Sequence, residues 1–372
     1  DAQASTLHRL LGRRPDSHSR FRHDRHNRLP HDVVIVDEPS MVSLSLMARL
    51  LEAVRPDARL VLVGDPDQLA SVEAGAVLGD LVARSAPASA TVPDQVGAVA
   101  DDLDPGEPAT DAFRNGIVRL TSVHRFGGGI AELAAAVNAE EPDRVVGILR
   151  SQRTDVEFVE MDAGETPSPR LLDMLRHDIV AASTALRAAA RVGDVAGALS
   201  ALQRHRLLCA HRRGPYGIAR WSAEIQRWTA TTDGPHTAPE EWYVGRPLLA
   251  TANDYEVNLF NGDTGVVVDH PDRGVIAAFA RAAGPLLISP NRLSGVQTVH
   301  AMTVHRAQGS QFERVSLLLP DPDSPLLTRE LFYTAITRAQ HHVRVIGSAQ
   351  AVRTAVGRPI VRASGLGRHR SA

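Results

Sequence analysis

Two short runs of consecutive apolar residues lie early in the chain, and polar side chains follow each of them. The run at 33–36 leads into Asp37 and Glu38, and the run within 58–65 leads into another aspartate. Apolar residues at helical spacing occupy 42–54 between them. Continuous apolar runs, rather than alternating ones, are typical of parallel strands buried on both faces. The pattern therefore predicts a strand–helix–strand unit of a parallel sheet.

Regular apolar spacing stops and then resumes further along the chain. Pro, Asp, Ala and Gly dominate 86–108, which predicts a surface insert or a domain joint. Helical spacing follows at 130–149 and continues through 170–206. Beyond residue 300 the segments "VSLLLP" and "HVRVIG" are predicted strands, with a helix near 328–340 between them. This second region is also of the α/β class.

Residues 242–300 differ from the segments on either side. They contain short strand-like runs separated by turn signals, of which Asn261-Gly262 is the strongest. We expect a small β-barrel inserted in the second α/β region.

Composition narrows the function classes. The 372 residues are enough for about two domains. A net charge of −2 excludes a protein whose whole surface is basic and coats nucleic acid. A local basic channel for nucleic acid stays possible. The single cysteine, Cys209, excludes an internal disulfide and fits a reducing cytoplasm. No apolar run reaches the ~20 residues that a membrane span requires.

The chain contains no lysine, since all 41 basic residues are arginine. The lysine of a phosphate-binding glycine-rich loop is therefore absent from these residues. The chain also begins without methionine, at an amphipathic pattern that places Leu7, Leu10 and Leu11 on one helix face. We expect a fragment truncated at its N-terminus, which by itself hydrolyses ATP no faster than background.

The polar residues after the two early strands are candidates for nucleotide chemistry. Parallel strands place their carboxyl ends at one edge of a sheet, where ligands bind in open α/β folds. Asp37 is placed to hold Mg²⁺ through water and Glu38 to polarise an attacking water. Asp65 and Gln68 follow the second strand and could reach a terminal phosphate. The alternative is that each strand simply ends in a polar turn.

Five segments in order resemble the motifs of superfamily 1 helicases. They are "VVIVDEPSMV", "LVGDPDQLASVEAGAVLGDL", "LTSVHRFGGGIAELAAAVN", "AMTVHRAQGSQFERVSLLLP" and "ELFYTAITRAQHH". Further stretches, such as "LLCAHRRGPYGIA" and "GRPLLATANDYEVNLFNGDTG", resemble the alpha-subunit family of exodeoxyribonuclease V, the RecD subunits of the RecBCD helicase–nuclease. The likeness covers nearly the whole chain, and 82–115 matches least.

The resemblance implies two RecA-like lobes, with an SH3-like β-barrel inserted in the second. The first lobe would be 1–117, the second 118–241 with 301–372, and the barrel 242–300. The implied protein is an ATP- and Mg²⁺-dependent helicase that moves 5′ to 3′ on single-stranded DNA. It would act beside RecB and RecC subunits in double-strand break repair and recombination, in the cytoplasm.

The resemblance also implies a role for each matching residue. Asp37 and Glu38 match the Mg²⁺ and general-base pair, and Gln68 matches the γ-phosphate sensor. Arg125 and Arg338 match the arginines that the second lobe presents to the phosphates, a task that suits a forked and permanently charged guanidinium. The remaining matches are nucleotide contacts at Asp65, Gly309 and Gln311, and DNA contacts at Thr303, His305 and Ser310.

Three positions depart from the family pattern. Arg306 stands where lysine is common and keeps the charge. Gln311 replaces a glutamate that contacts ribose, so the negative charge is lost. Pro39 replaces a small residue after the acidic pair and removes a backbone donor there.

Two other classes of protein remain alternatives. One is a catalytically decayed subunit that binds DNA or assembles without hydrolysing ATP. The other is the helicase domain of a larger conjugative relaxase. The sequence upstream of residue 1 in the gene discriminates among them.

Overall fold

The structure is a computed structural model. It describes residues 4–12, 20–71, 77–84, 113–114, 116–118, 120, 125–161, 168–230, 242–281 and 283–360. The insert or joint predicted at 86–108 lies outside the described residues. The chain divides into two compact units, 1–122 with 361–372 and 123–360.

The first unit contains a small parallel sheet with helices beside it. Its elements are α1 (Leu7–Leu10), β1 (Val33–Asp37), a 3₁₀ helix (Pro39–Met41), α2 (Leu44–Ala53), β2 (Arg59–Val63), α3 (Val77–Arg84), β3 (Phe113–Arg114) and β4 (Ile117–Val118). Strands β1 and β2 pair in parallel, and β3 and β4 form a separate antiparallel pair. The two early strands and the helix between them agree with the sequence prediction.

One face of the β1–β2 sheet forms a hydrophobic core. Val34 and Val36 point into it and pack with Met47 and Leu50 of α2. Among the described residues the opposite face has no covering element, and Ile35 is 67% exposed. In this part of the structure the expected cover on both faces is not found, because helix α2 lies on one side of the two strands.

The second unit is larger and contains two sheets. Its helices are α4 (Gly128–Asn138), α5 (Pro142–Arg150), α6 (Pro169–Arg191), α7 (Val195–Leu202), α8 (Ile218–Ala230), α9 (Arg329–Ile336) and α10 (Ala349–Gly357), with 3₁₀ turns at Pro290–Arg292 and Val304–Ala307. Its strands are β5 (Val156–Glu160), β6 (His205–Cys209), β7 (Pro247–Ala250), β8 (Thr264–His270), β9 (Gly274–Phe279), β10 (Leu286–Ile288), β11 (Val296–Thr298), β12 (Ala301–Thr303), β13 (Phe312–Leu318) and β14 (Ala339–Gly347).

The first of these sheets is parallel and has the order β12-β6-β13-β14-β5. Ser316 on β13 pairs with Leu207 on one side and with Arg344 on the other. The central strands are almost fully buried at their carboxyl halves, as expected for a parallel sheet that helices cover. This sheet confirms the predicted α/β fold class.

The helical predictions agree with the structure except at one end. Residues 130–149 are helical in two segments, since Glu140 adopts a positive φ of 58° and Pro142 starts α5. The helices predicted through 206 are α6 and α7, which are separated at Gly193 (φ 73°), and α7 ends at Leu202. Residues 205–209 form a strand instead, because their buried side chains lie inside the parallel sheet.

The insert within 242–300 is a five-stranded antiparallel sheet with the order β10-β9-β8-β7-β11. The turn predicted at Asn261-Gly262 is present. Gly262 has a φ of 99°, and the N–H of Asp263 donates to the carbonyl of Phe260 at 3.0 Å. The domain boundaries given above stay predictions.

Helix α6 packs against both sheets of the second unit. Leu171, Leu175 and Ile179 near its start belong to the core under the parallel sheet. Leu186 and Ala190 near its end belong to a core shared with α7 and strands β8 and β9. In the described part of the chain, no helix is long and apolar enough to cross a membrane.

Candidate nucleotide and nucleic-acid site

Asp37 and Glu38 lie at the carboxyl end of β1. The Asp37 side chain is exposed, and its Oδ1 accepts a hydrogen bond from the Glu38 N–H at 3.0 Å. The same N–H also donates to the carbonyl of Val63 at 2.9 Å, which ties Glu38 to the end of β2. Burial of the alternate residues of β1 thus places both carboxylates at a sheet edge.

Glu38 has a left-handed backbone, with φ 50° and ψ 49°. A non-glycine residue in this region stores about 1–3 kcal/mol of strain, and such residues concentrate at functional sites. Pro39 follows as the first residue of the 3₁₀ helix, where an amide donor has no intrahelical partner. A side chain at Gly64 would lie 2.6 Å from Cδ of Pro39, so glycine there lets the proline close over the end of β2.

Asp65 and Gln68 lie in the turn after β2. Gln68 is buried, and its Nε2 donates to Oδ2 of Asp65 at 3.3 Å. The Oε1 atom of Gln68 and the Oγ atom of Ser40 are buried, and neither has a hydrogen-bond partner within the described residues. A buried polar atom without a partner is costly, so each atom is suited to an additional polar ligand.

The side chains at the ends of β1 and β2 fit a magnesium–nucleotide complex better than a metal site whose ligands all come from the protein. Mg²⁺ keeps several waters and uses one or two carboxylates together with phosphate oxygens. Asp37 supplies an exposed carboxylate of that kind. Within the described residues, no three His, Cys, Asp or Glu side chains group as metal ligands.

In the second unit, residues 303–311 follow the short strand β12. Thr303 is buried and caps the next turn, since its Oγ1 accepts from the Arg306 N–H at 3.4 Å. His305 and Ser310 are half-buried, and Gly309 has a φ of 74° in open space. The segment is therefore fixed at its start by Thr303 and turns sharply at its glycine.

Two arginines meet at this end of the parallel sheet. Burial and the positive charge of Arg212 lower the pKa of Arg306. Arg212 follows β6, the strand beside β12, so both cations lie past the carboxyl ends of neighbouring strands. An anion bound here would relieve their repulsion, as a phosphate does.

Arg338 is the most buried charged side chain of this group, at 1% exposure. Its Nε donates to the carbonyl of Thr334 at 3.1 Å and its Nη1 to the carbonyl of Ser310 at 3.4 Å. Its own carbonyl accepts from the Phe312 N–H at 2.9 Å. The arginine is thus held rigidly against the segment that contains Ser310 and Gln311.

Arg125 lies in an exposed position just before helix α4. Three glycines follow Phe126. The start of the helix is capped by a residue far away in sequence, since Oδ2 of Asp155 accepts a hydrogen bond from the Gly129 N–H at 2.7 Å. Side chains at Gly128 or Gly129 would lie 2.8 Å or less from Asp155, so only glycine allows this approach. The cap fixes where α4 begins and hence the segment that carries Arg125.

The predicted residues fall into two groups, one in each unit. Asp37, Glu38, Asp65 and Gln68 gather at the carboxyl ends of β1 and β2. In the second unit, the structure brings Arg338 against the segment 303–311. Arg125 precedes α4, which packs on α9, the helix that ends just before Arg338.

Three side chains beside these residues were not singled out from the sequence. They are Asp155, Arg212 and Gln340, whose Nε2 donates to Oε1 of Gln311 at 2.9 Å. Asp155 and Gln340 act through long-range contacts that leave no local motif. Arg212 lies within the family-like stretch "LLCAHRRGPYGIA", which was the one available signal.

The class of protein follows from comparison with known families. Residues 1–96 match an AAA domain, and residues 298–346 match a UvrD-like helicase C-terminal domain. Both segments carry the strand-end residues described above. The AAA-domain match contains Asp37, Glu38, Asp65 and Gln68, and the helicase-domain match contains the segment 303–311 and Arg338.

Individual relatives narrow the class further. The chain is 50% identical over 363 residues to the RecBCD enzyme subunit RecD of Mycolicibacterium smegmatis and 51% identical over 367 residues to that of Mycobacterium tuberculosis. Each alignment covers 98% of this chain and 58% of the relative. The resemblance indicated by the motifs is confirmed: this chain is a relative of the RecD subunits and spans somewhat over half of their length.

Among solved structures, a Bacteroides Pif1 helicase bound to single-stranded DNA aligns with a TM-score of 0.45 and 14% identity. The alignment covers 91% of this chain and 78% of that one.

Proposed function

We propose that the protein containing this chain is an ATP-driven DNA helicase motor of the RecD type. It takes ATP with Mg²⁺ and moves 5′ to 3′ along single-stranded DNA. It works with RecB- and RecC-type subunits in double-strand break repair and recombination, in the cytoplasm. The lobes are 1–117 and 118–241 with 301–372, and the antiparallel insert occupies 242–300.

One observation carries the proposal. In a chain that is 50% identical to a RecD subunit, polar motif residues lie at or just beyond the carboxyl ends of parallel strands, where open α/β sheets bind ligands. They are Asp37 and Glu38 at β1, Asp65 and Gln68 after β2, and Thr303 at β12. Asp37 and Glu38 hold Mg²⁺ through water and activate the attacking water, Asp65 contacts the nucleotide, and Gln68 senses the terminal phosphate. Arg125 and Arg338 neutralise charge on the transferred phosphoryl group.

The DNA contacts are assigned to the segment 303–310. Thr303, His305 and Ser310 contact the phosphate backbone, which positions a strand without reading its sequence. The cations of Arg306 and Arg212 favour the same ligand. Gly309 and Gln311 contact the nucleotide.

The test uses the complete gene product with the subunits that assemble with it. ATP turnover should rise on adding single-stranded DNA, and Glu38→Gln should abolish the rise while ATP binding remains. Glu52→Gln is the matched control, since Glu52 is a surface residue paired with Arg49 on α2. Equal turnover in the two variants would refute the role of Glu38.

Direction of movement needs a separate experiment. Duplexes that carry a 5′ or a 3′ single-stranded tail are offered to a complex whose other motor is inactivated. Unwinding of the 5′-tailed duplex is expected. Unwinding of only the 3′-tailed duplex would reverse the proposed polarity.

The strained conformation of Glu38 before Pro39 is the observation that favours a second candidate, a decayed motor that binds DNA or assembles without hydrolysis. This candidate predicts DNA binding by the complete protein without DNA-stimulated turnover. Glu38→Gln would then change nothing, so the same assay separates the two candidates.

A further inference from the structure

Strand β14 contains one residue more than β13 opposite it. Phe312 pairs with Ala339 and Arg314 pairs with His342, so Gln340 and His341 together face Glu313 alone. An irregularity of this kind bends a strand and redirects one side chain, and it is common beside active sites. Here it comes directly after Arg338.

Gln340 is the first of the two residues in this irregularity. Its Nε2 donates a hydrogen bond to Oε1 of Gln311 at 2.9 Å, and both side chains are half-buried. The residues beside Gln311 are bound to the same strand end, since Phe312 donates to the carbonyl of Arg338 and Arg338 donates to that of Ser310. Gln311 is therefore held at its backbone and at its side-chain oxygen.

We propose that Gln340 is a positioning residue that fixes the orientation of Gln311 toward the nucleotide. The inference rests on the proposed function, in which Gln311 contacts ATP. When the amide oxygen faces Gln340, the amide nitrogen with its two N–H donors faces away from it. The ligand atom is then an acceptor, such as a ribose or phosphate oxygen, whereas a glutamate here could only accept.

A double-mutant cycle tests the coupling. ATP affinity and maximal turnover are measured in the complete gene product for Gln311→Ala, Gln340→Ala and the double variant. Each single variant should weaken ATP binding about fivefold, the worth of one net hydrogen bond. The double variant should bind ATP no more weakly than Gln311→Ala, and any loss of maximal turnover in Gln340→Ala should be no larger than that in Gln311→Ala.

His341→Ala is the matched control, because His341 lies in the same irregularity and is exposed. Its ATP affinity should equal that of the unaltered protein. An equal loss in His341→Ala and Gln340→Ala would assign the effect to the shape of the strand and overturn the inference.

Two further variants test the direction of the hydrogen bond. Gln340→Lys keeps a donor toward Gln311 and should retain most of the affinity. Gln340→Glu offers only acceptors and should behave like Gln340→Ala. The reverse order would overturn the assigned orientation.

The outcomes separate this inference from the proposed function. If Gln311→Ala weakens ATP binding and Gln340→Ala does not, or if their effects multiply in the double variant, the positioning role is wrong and the helicase proposal stands. If Gln311→Ala leaves ATP affinity unchanged, the nucleotide contact of Gln311 is wrong and the inference falls with it.

Discussion

The guanidinium of Arg344 on β14 binds the carboxylate of Asp178 on α6, with Nη1 2.7 Å from Oδ2. Its Nε lies 2.7 Å from Oε2 of Glu157 on β5, and the arginine is only 5% exposed. Burial would raise the pKa of Asp178, but the hydrogen bond and charge of Arg344, with smaller contributions from Arg314 and His205, lower it overall. The pair therefore ties α6 to the parallel sheet in its ionised form.

Two histidines on the same sheet face make this region sensitive to acid. Burial lowers the pKa of His205 to about 3; the charge of Asp178 opposes the shift, and Arg344 adds to it. Burial also lowers the pKa of His342. Between about pH 6.5 and 3 the unfolded chain binds protons at His205 that the folded chain does not. Stability should therefore fall as the pH falls through this window, and Asp178 acts in the same direction at its lower end.

Urea denaturation of the chain at pH 7.5, 5.5 and 4.5 measures this effect. His205→Gln should flatten the pH dependence, whereas His177→Gln, at an exposed position on α6, should not. Identical pH profiles for the two variants would place the acid sensitivity elsewhere.

Glycine at position 129 should be required for the start of α4. In Gly129→Ala the new Cβ would lie 2.7 Å from both Asp155 and Arg153, which cap and flank the helix. We expect a loss of about 1–3 kcal/mol in the free energy of unfolding. Gly147→Ala is the control, since nothing lies within 4 Å of a Cβ in the middle of α5. There alanine should be neutral or stabilise by about 0.5–1 kcal/mol. Chemical denaturation measures the free energy of unfolding of both variants. Equal values would contradict the close approach of Asp155 and Arg153 to Gly129.

Arg338→Ala in the complete protein should reduce ATP turnover by orders of magnitude while ATP binding stays nearly intact. An arginine that acts on the transferred phosphoryl group contributes mainly in the transition state, so its loss appears in kcat. Because the side chain also holds Thr334 and Ser310, thermal stability should fall too.

The control for Arg338 is Arg329→Ala at the start of α9, the helix that ends just before Arg338, where the side chain pairs with Glu140 near the surface. Nucleotide affinity and turnover are measured separately with saturating DNA. Normal turnover in Arg338→Ala, or equal losses of affinity and rate, would show that Arg338 has only a structural role. His305→Ala should instead weaken single-strand binding with little dependence on sequence.

Cys209 should report unfolding of the second unit. The thiol is fully buried at the end of β6, and burial raises its pKa to about 12. Since the reactive species is the thiolate, a thiol-specific reagent at pH 8 should label the native protein very slowly. Labelling should accelerate at the urea concentration that unfolds the unit. Fast labelling of native protein would show that this strand end opens locally.

The sequence predicts some elements of the structure much better than others. The ends of strands β1 and β2 were predicted within two residues, because a short apolar run bounded by polar residues is typical of a buried strand. Strand β6 was not predicted, and its first two residues were placed at the end of a helical region, since "HRLLC" suits either state and only its place inside the sheet makes it a strand. The candidate site shows the same division. Motif residues were named from their types and order, whereas the Asp155 cap and the Gln340 contact depend on residues 26 and 29 positions from their partners.

Helix α6 has a mechanical consequence. Its 23 residues form a rod about 35 Å long, with one end embedded in the core of the parallel sheet and the other in that of the antiparallel insert. A rod clamped in two cores cannot swivel at either end without exposing buried leucines. Helix α6 therefore couples the position of the antiparallel insert to that of the parallel sheet, whose strand β12 carries Thr303 and whose strand β14 follows Arg338.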